Sequence, residues 1–313
     1  MKPPDPSRDV WDPSAGDDRS GISGPVLRNI KLIVEYDGTR YFGWQSQVDR
    51  NTIQSELQKA VGRVVDHPVT AYGSGRTDRG VHALGQVANF HTPKGIPCEK
   101  LLLGINTYLP EDIRVRSVEE VPDGFHARHS ARGKRYRYTI LRSSVERVMV
   151  RHFCEVIPEA LDVAAMKAGA AHIHGLRDYK ALQGNAKRRS PKPGEEPRST
   201  VRTVTAVVVR ESGPFILIDA FGLGFLYGMV RTIAGTLVEM AKGKRDPASM
   251  EEVLDSQDRQ RAGFKAAAQG LCLLEVYYGE GALEAAVELA REDSDAQSKF
   301  PGGELDRVLK MLT

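Results

Sequence analysis

Cysteine is scarce in this chain: Cys98, Cys154 and Cys272 stand far apart, and no two form a CxxC pair. That spacing offers neither a disulfide framework nor a zinc-ligand pattern, and it fits a reducing cytoplasm. Long apolar runs are missing as well. A membrane-spanning helix needs roughly 20 uninterrupted apolar residues, and the best candidate, Phe225 to Ala241, is broken by Arg231 and Glu239. The opening MKPPDPSRDVWDPSAGDDRS has no apolar stretch of the kind a secretory signal carries, so none is expected there. The glycine-containing segment 73–83 has neither the Walker spacing nor the three-glycine dinucleotide pattern, so it is not a phosphate-binding loop of those classes. Metal ligands are equally thin. The pairs His126/His129 and His172/His174 lack Cys or carboxylate partners at a familiar spacing, so they read as structural or surface groups. No metal and no cofactor are expected.

What is present is globular in character: 41% hydrophobic and 27% charged residues in a chain of 313, enough for one large domain or two medium ones. The net charge of +3 is unevenly spread. Residues 1–25 hold three basic and five acidic side chains, and residues 280–313 hold four and eight, which leaves +9 in between. A basic body between acidic tails suits a polyanionic partner, because phosphate contacts need Lys and Arg.

Residues 1–27, rich in Pro, Asp, Gly and Ser, read as a disordered arm. Order is expected from Asn29 to Tyr36, a dense β-branched strand ending at Asp37-Gly38. Asn51 and Gln54 resemble a capping box before the helical spacing of Ile53, Leu57, Val61 and Val64. Val69–Tyr72 and Gln86–His91 read as strands, Lys100–Tyr108 as a short helix and Lys134–Leu141 as an alternating strand. An alanine-rich helix is expected over 159–172. The runs Val201–Val209 and Phe215–Phe221 form a hairpin about Gly213-Pro214, followed by helices over 225–242 and 247–255, a strand at 271–278, and a last helix carrying Leu283, Val287 and Ala290. Strands and helices alternate in two similar halves, which predicts an α+β fold with a broad, mostly antiparallel sheet. The divisions expected are an arm (1–27), two subdomains (28–141 and 142–280) and an acidic extension (281–313).

The most informative stretch is Gly73-Ser74-Gly75-Arg76-Thr77-Asp78-Arg79-Gly80-Val81-His82-Ala83. Its glycines allow sharp turning and close approach to a ligand. Between them an aspartate sits among arginines, an environment that suits a nucleophile or charge stabiliser rather than a proton donor. A plain Asp-Gly turn accounts for the same residues, so spacing alone does not decide. The stretch from Gly75 to Val87, however, resembles the signature loop of TruA-type tRNA pseudouridine synthases. Further matches follow in order: Glu35-Tyr36-Asp37-Gly38 with Gly43-Trp44-Gln45; Leu109-Pro110-Glu111-Asp112-Ile113; Phe125-His126-Ala127-Arg128 running to Arg135-Tyr136-Arg137-Tyr138; and Met229-Val230-Arg231. The similarity spans about residues 30–279.

This resemblance implies the pseudouridine synthase fold, with two similar subdomains around a basic cleft. It implies that Asp78 is the essential aspartate, that Arg76 contacts the flipped nucleotide or its backbone, that Tyr136 stacks on the base and helps move the C5 proton, and that Arg231 pairs with the aspartate. It also implies a homodimer that binds tRNA and modifies uridines of the anticodon stem-loop, at tRNA positions 38–40. The residues themselves offer partial support. Alternation puts Tyr136, Tyr138 and Ile140 on one strand face and Arg135 and Arg137 on the other. Arg231, on a mostly apolar helix, needs solvent or a carboxylate partner, and Gly228 and Gly235 share one face of that helix and mark close packing. Candidate RNA contacts are Arg76, Arg79, Arg128, Arg132 and Lys134, with His126, His129, Arg135, Arg137 and the loop Lys187-Arg188-Arg189-Ser190-Pro191-Lys192 as further sources of charge.

The chain also departs from the family pattern. Arg79 stands where a small residue is usual, Phe221–Phe225 lacks an expected asparagine, and Gln183–Thr200 is long and basic. Two rivals are weighed beside the isomerase. A non-catalytic RNA-binding protein would have no need of a carboxylate facing phosphates, and a nucleoside hydrolase would need a second, paired acid, which is not evident.

Overall fold

The computed structural model describes residues 27–184 and 199–295. The N-terminal arm, the basic loop Lys187–Lys192 and the end of the acidic tail lie outside the described residues. The ten strands of the described part are β1 (Arg28–Tyr36), β2 (Tyr72–Gly73), β3 (His82–Thr92), β4 (Ile113–Val121), β5 (Gly133–Arg142), β6 (Glu155–Ile157), β7 (Gly175–Asp178), β8 (Val201–Ser212), β9 (Phe215–Gly222) and β10 (Leu271–Tyr277). The α-helices are α1 (Ile53–Val65), α2 (Cys98–Tyr108), α3 (Val163–Ala171), α4 (Met229–Ala241), α5 (Ser249–Ser256) and α6 (Ala282–Asp295).

All ten strands join one sheet in the order β4-β1-β3-β10-β5-β9-β8-β7, with β2 on β3 and β6 on β5. The expected α+β, mostly antiparallel sheet is what forms; only β10–β3 and β5–β6 run parallel. The last strand along the described chain, β10, inserts between β3 and β5 and so stitches the two halves of the sequence together.

One row of side chains crosses this seam in register: Tyr36 opposite Ala83, Ala83 opposite Leu273, Leu273 opposite Tyr136, Tyr136 opposite Ala220. These residues share a continuous core with the buried faces of α1 to α4, as period-two alternation requires of a sheet with one packed face. In α1 that face is Ile53, Leu57, Ala60, Val61 and Val65. The opposite face is also covered. There α6 lays Leu283, Val287 and Ala290 on Ala206, Val208, Phe221 and Tyr277, so the acidic extension begins with a packed helix.

Between Phe221 and Leu217 on that second face, Asp219 is fully buried. Arg137 forks onto it through Nε (2.8 Å) and Nη2 (2.9 Å), and Arg135 adds a third bond at 2.9 Å. Burial alone would raise the Asp219 carboxyl, but the two guanidiniums hold it well below the usual carboxylate range. Removing one partner of such a buried pair typically costs about 3–5 kcal/mol. Arg135 and Arg137 are therefore structural, and they leave the expected phosphate-binding cluster.

Local expectations shift in three further places. The cap of α1 is Thr52, whose side chain accepts from Ser55 N–H while Ser55 bonds back; Asn51 and Gln54 do not play these parts. The 69–72 strand shrinks to Tyr72–Gly73. The helix expected from 159 begins only at Val163, where Asp162 accepts from the amides of Ala164 and Ala165, a carboxylate cap that sets the boundary.

Candidate active site

Asp78 sits in the loop between β2 and β3, and that loop is held from several sides. Ser74 N–H donates to Val87 O (2.7 Å), Ser74 and Gln86 share a side-chain bond (2.7 Å), and Gln86 returns to Gly75 O (3.0 Å). Nearer the aspartate, Trp44 N–H reaches Thr77 O at 3.2 Å and the Tyr36 and Thr77 hydroxyls lie 2.8 Å apart in the core. Gly43 makes this closure possible. Its φ is +87°, and a Cβ there would lie 2.5 Å from Thr77 O and 3.0 Å from the Asp78 carbonyl carbon, so no larger residue fits. The blocks Tyr36-Asp37-Gly38 and Gly43-Trp44-Gln45 are thus the clamp of the signature loop.

Arg231 arrives from the other side of the seam, in the first turn of α4. Its Nη1 lies 3.2 Å from Asp78 Oδ2, with the side chains only 11% and 16% exposed. Its Nε donates to Ala266 O at 2.7 Å, and its own carbonyl accepts from Ala266 N–H at 3.1 Å. A guanidinium fixed at two points cannot swing away from the carboxylate, which gives the pair a defined direction. The expected Asp78–Arg231 pairing is present. The expected close packing of Gly235 is present too: a methyl there would overlap Phe264 O.

Tyr136 is buried on the same face, 8% exposed, and meets Phe225 edge-on at 5.4 Å and 86°. Burial pushes its hydroxyl well above the ordinary phenol value, with Tyr36, Asp78 and Cys272 adding to the effect. The ring is therefore a neutral, oriented phenol beside a carboxylate. Phe225 belongs to the segment that lacks the expected asparagine, and it supplies an aromatic wall instead.

The other candidates fall around this centre. Arg76 is exposed and its Nε donates to Gln45 Oε1 at 3.0 Å. Arg79 is exposed, its guanidinium carbon 4.4 Å from the centre of the Phe42 ring, and Arg50 lies at the same distance from that ring. Lys134 donates to Ser74 O at 2.7 Å, and burial together with nearby Arg128 lowers its ammonium to about 8. Arg128 is exposed beside it, whereas Arg132 lies farther along, 3.8 Å from Glu280. His126 Nδ1 accepts from the amides of Arg128 and His129 and its ring packs on Tyr72 and His129, the structural use expected of it. Sequence reasoning missed Tyr227 and Lys265, whose charged or polar ends feel both Asp78 and Arg231. Neither lies in a recognisable motif, and only the fold brings 227 and 265 to residue 78.

Comparison with known proteins places the chain in a family. A family described as tRNA pseudouridine synthase matches residues 32–130 and 170–279. The tRNA pseudouridine synthase A of Acetivibrio thermocellus is 40% identical over 252 residues, covering 80% of this chain and all of that one. Proteins of related name from Clostridium perfringens (42% over 252 residues) and Ruminiclostridium cellulolyticum (44% over 255) cover the same share. Among solved structures, a chain of a Cbf5-Nop10-Gar1 complex overlaps at a TM-score of 0.28 and 11% identity, over 78% of this chain and 57% of that one, too slight a likeness to carry an argument.

Proposed function

The chain belongs to the tRNA pseudouridine synthase family and isomerises uridine in tRNA, and from that premise we propose that Asp78 is the carboxylate that carries the reaction. Isomerisation breaks the N1–C1′ bond, turns the base, joins C5 to C1′ and moves the C5 proton away; no electron is gained or lost overall. A carboxylate next to the sugar stabilises or traps the cation left at C1′. The observation that carries this assignment is the Arg231–Asp78 pair at 3.2 Å, held in a loop that the core fixes in place.

Within the same proposal, Tyr136 stacks on the base and serves the proton as a neutral phenol, since burial disfavours its phenolate. Arg76, Arg79, Arg128, Arg132 and Lys134 contact RNA. The target base is flipped out of its stack, at a cost on the order of a few kcal/mol, which the aromatic wall of Tyr136 and Phe225 helps offset. Residues 28–141 and 142–280 act as two subdomains, one bringing Asp78 and the other Arg231. The remaining family traits are proposed with them: a homodimer working in the cytoplasm on anticodon stem-loop uridines at tRNA positions 38–40.

Mapping pseudouridine by carbodiimide adducts and primer extension, on unmodified tRNA treated with the protein, tests the substrate. New stops within the anticodon stem-loop are expected. Stops only in other arms would move the target, and tight binding with no stop anywhere would favour the RNA-binding alternative.

A further inference from the structure

Lys265, beside the Asp78–Arg231 pair, has neither hydrogen bond nor ion pair with any described residue. It is nevertheless held in position. A Cβ on Gly228 (φ +66°) would lie 3.1 Å from Lys265 Cδ, and one on Gly184 would lie 3.4 Å from the same atom. Two glycines thus form the bed of its aliphatic stem. Its Nζ stands 5.2 Å from the centre of the Tyr227 ring, an aromatic face that orients an ammonium without neutralising it. Asp78, the nearest described carboxylate to influence it, is already committed to Arg231. A half-buried lysine in such a bed, with charge unspent and a reactive carboxylate nearby, is prepared for an anion that arrives with the substrate. The anion that RNA brings is the phosphodiester.

We infer that Lys265 binds a backbone phosphate of the target nucleotide and so seats its sugar over Asp78; the inference rests on the Asp78 reading above. Arginine at the same bed preserves the charge, and alanine or methionine removes it. The ring of Tyr227 and the two glycines remain in every case.

The test is tRNA affinity and single-turnover rate for wild type, Lys265→Ala and Lys265→Arg across a potassium chloride series, with thermal melting as the control for folding. Lys265→Ala is expected to weaken binding about tenfold or more at low salt. It should also flatten the slope of log K against log[salt] by about 0.7 to 0.9, the signature of one lost phosphate contact. Lys265→Arg should keep the slope, and the maximal single-turnover rate of Lys265→Ala should fall by about tenfold, because the sugar is no longer seated over Asp78. A slope unchanged in Lys265→Ala overturns the assignment, and a fall in rate alongside it would make Lys265 a positioning residue for the Asp78–Arg231 pair. Failure of the Asp78 reading would show instead as uridine conversion that persists in Asp78→Ala, which the slope comparison does not depend on.

Discussion

At the scale of single residues, Lys134 makes stability depend on pH through its buried ammonium. Its ammonium is charged in both folded and unfolded chains below about pH 8. Between about 8 and the ordinary value of 10.5, the folded chain has released a proton that the unfolded chain keeps. The unfolded state then binds more protons, so stability rises with pH across that window. Lys134→Met is expected to abolish the rise, measured as urea midpoints at about pH 7 and about pH 10, and to weaken tRNA binding at about pH 7. The contrast with Arg135 and Arg137 is instructive. In the sequence all three are basic residues on one short strand, and alternation does place the arginines on the face opposite Tyr136. What alternation does not reveal is that this second face is also buried and holds Asp219. Whether a charge faces solvent, RNA or a buried partner depends on strands distant in the chain.

At the scale of elements, the Asp78–Arg231 pair depends on two close approaches, Gly43 against the Asp78 loop and Gly235 of α4 against Phe264. The second positions the segment that supplies Ala266 O to Arg231 and carries Lys265. Gly235→Ala should displace that segment and lower kcat/KM on tRNA by about 10²-fold, since a misplacement of about 1 Å at reacting groups has effects of that size; steady-state rates on a protein whose melting shows it folded are the check. An activity within twofold of wild type would mean that the segment can move without consequence. Strong periodic signals located the elements well: β1, β5, β8, β9, β10 and the apolar face of α6 stand where alternation and helical spacing put them. Their ends were less legible. Gly228, in the left-handed region as the cap of α4, releases Phe225 and Tyr227 from the helix and turns them toward the site, and no pattern in 225–228 announces that break. The edge strand β4 also went unread: the alternation of Ile113-Arg114-Val115-Arg116 is short, and Ser117–Val121 has no buried residue to continue it.

At the scale of the whole molecule, function follows from the seam. Residues 78 and 231 lie 153 positions apart, and they meet because β10 enters the sheet between β3 and β5 and brings the core faces of both halves into one row. The signature loop was legible as a candidate site, and its resemblance to a family supplied the roles. The partner contacts that hold the site in place are long-range, and they became visible only with the sheet assembled. The charge reading belongs to this scale as well: the basic body of residues 26–279 carries an excess of nine positive charges between acidic tails, the sign that a polyanionic substrate requires. All of this converges on one carboxylate, so the decisive measurement is tritium release from C5-tritiated uridine in unmodified tRNA by wild type and by Asp78→Ala, with tRNA affinity measured alongside. Release by wild type that disappears in Asp78→Ala, at an affinity within about twofold of wild type, is the result expected. Release that persists in the variant would contradict the role given to Asp78.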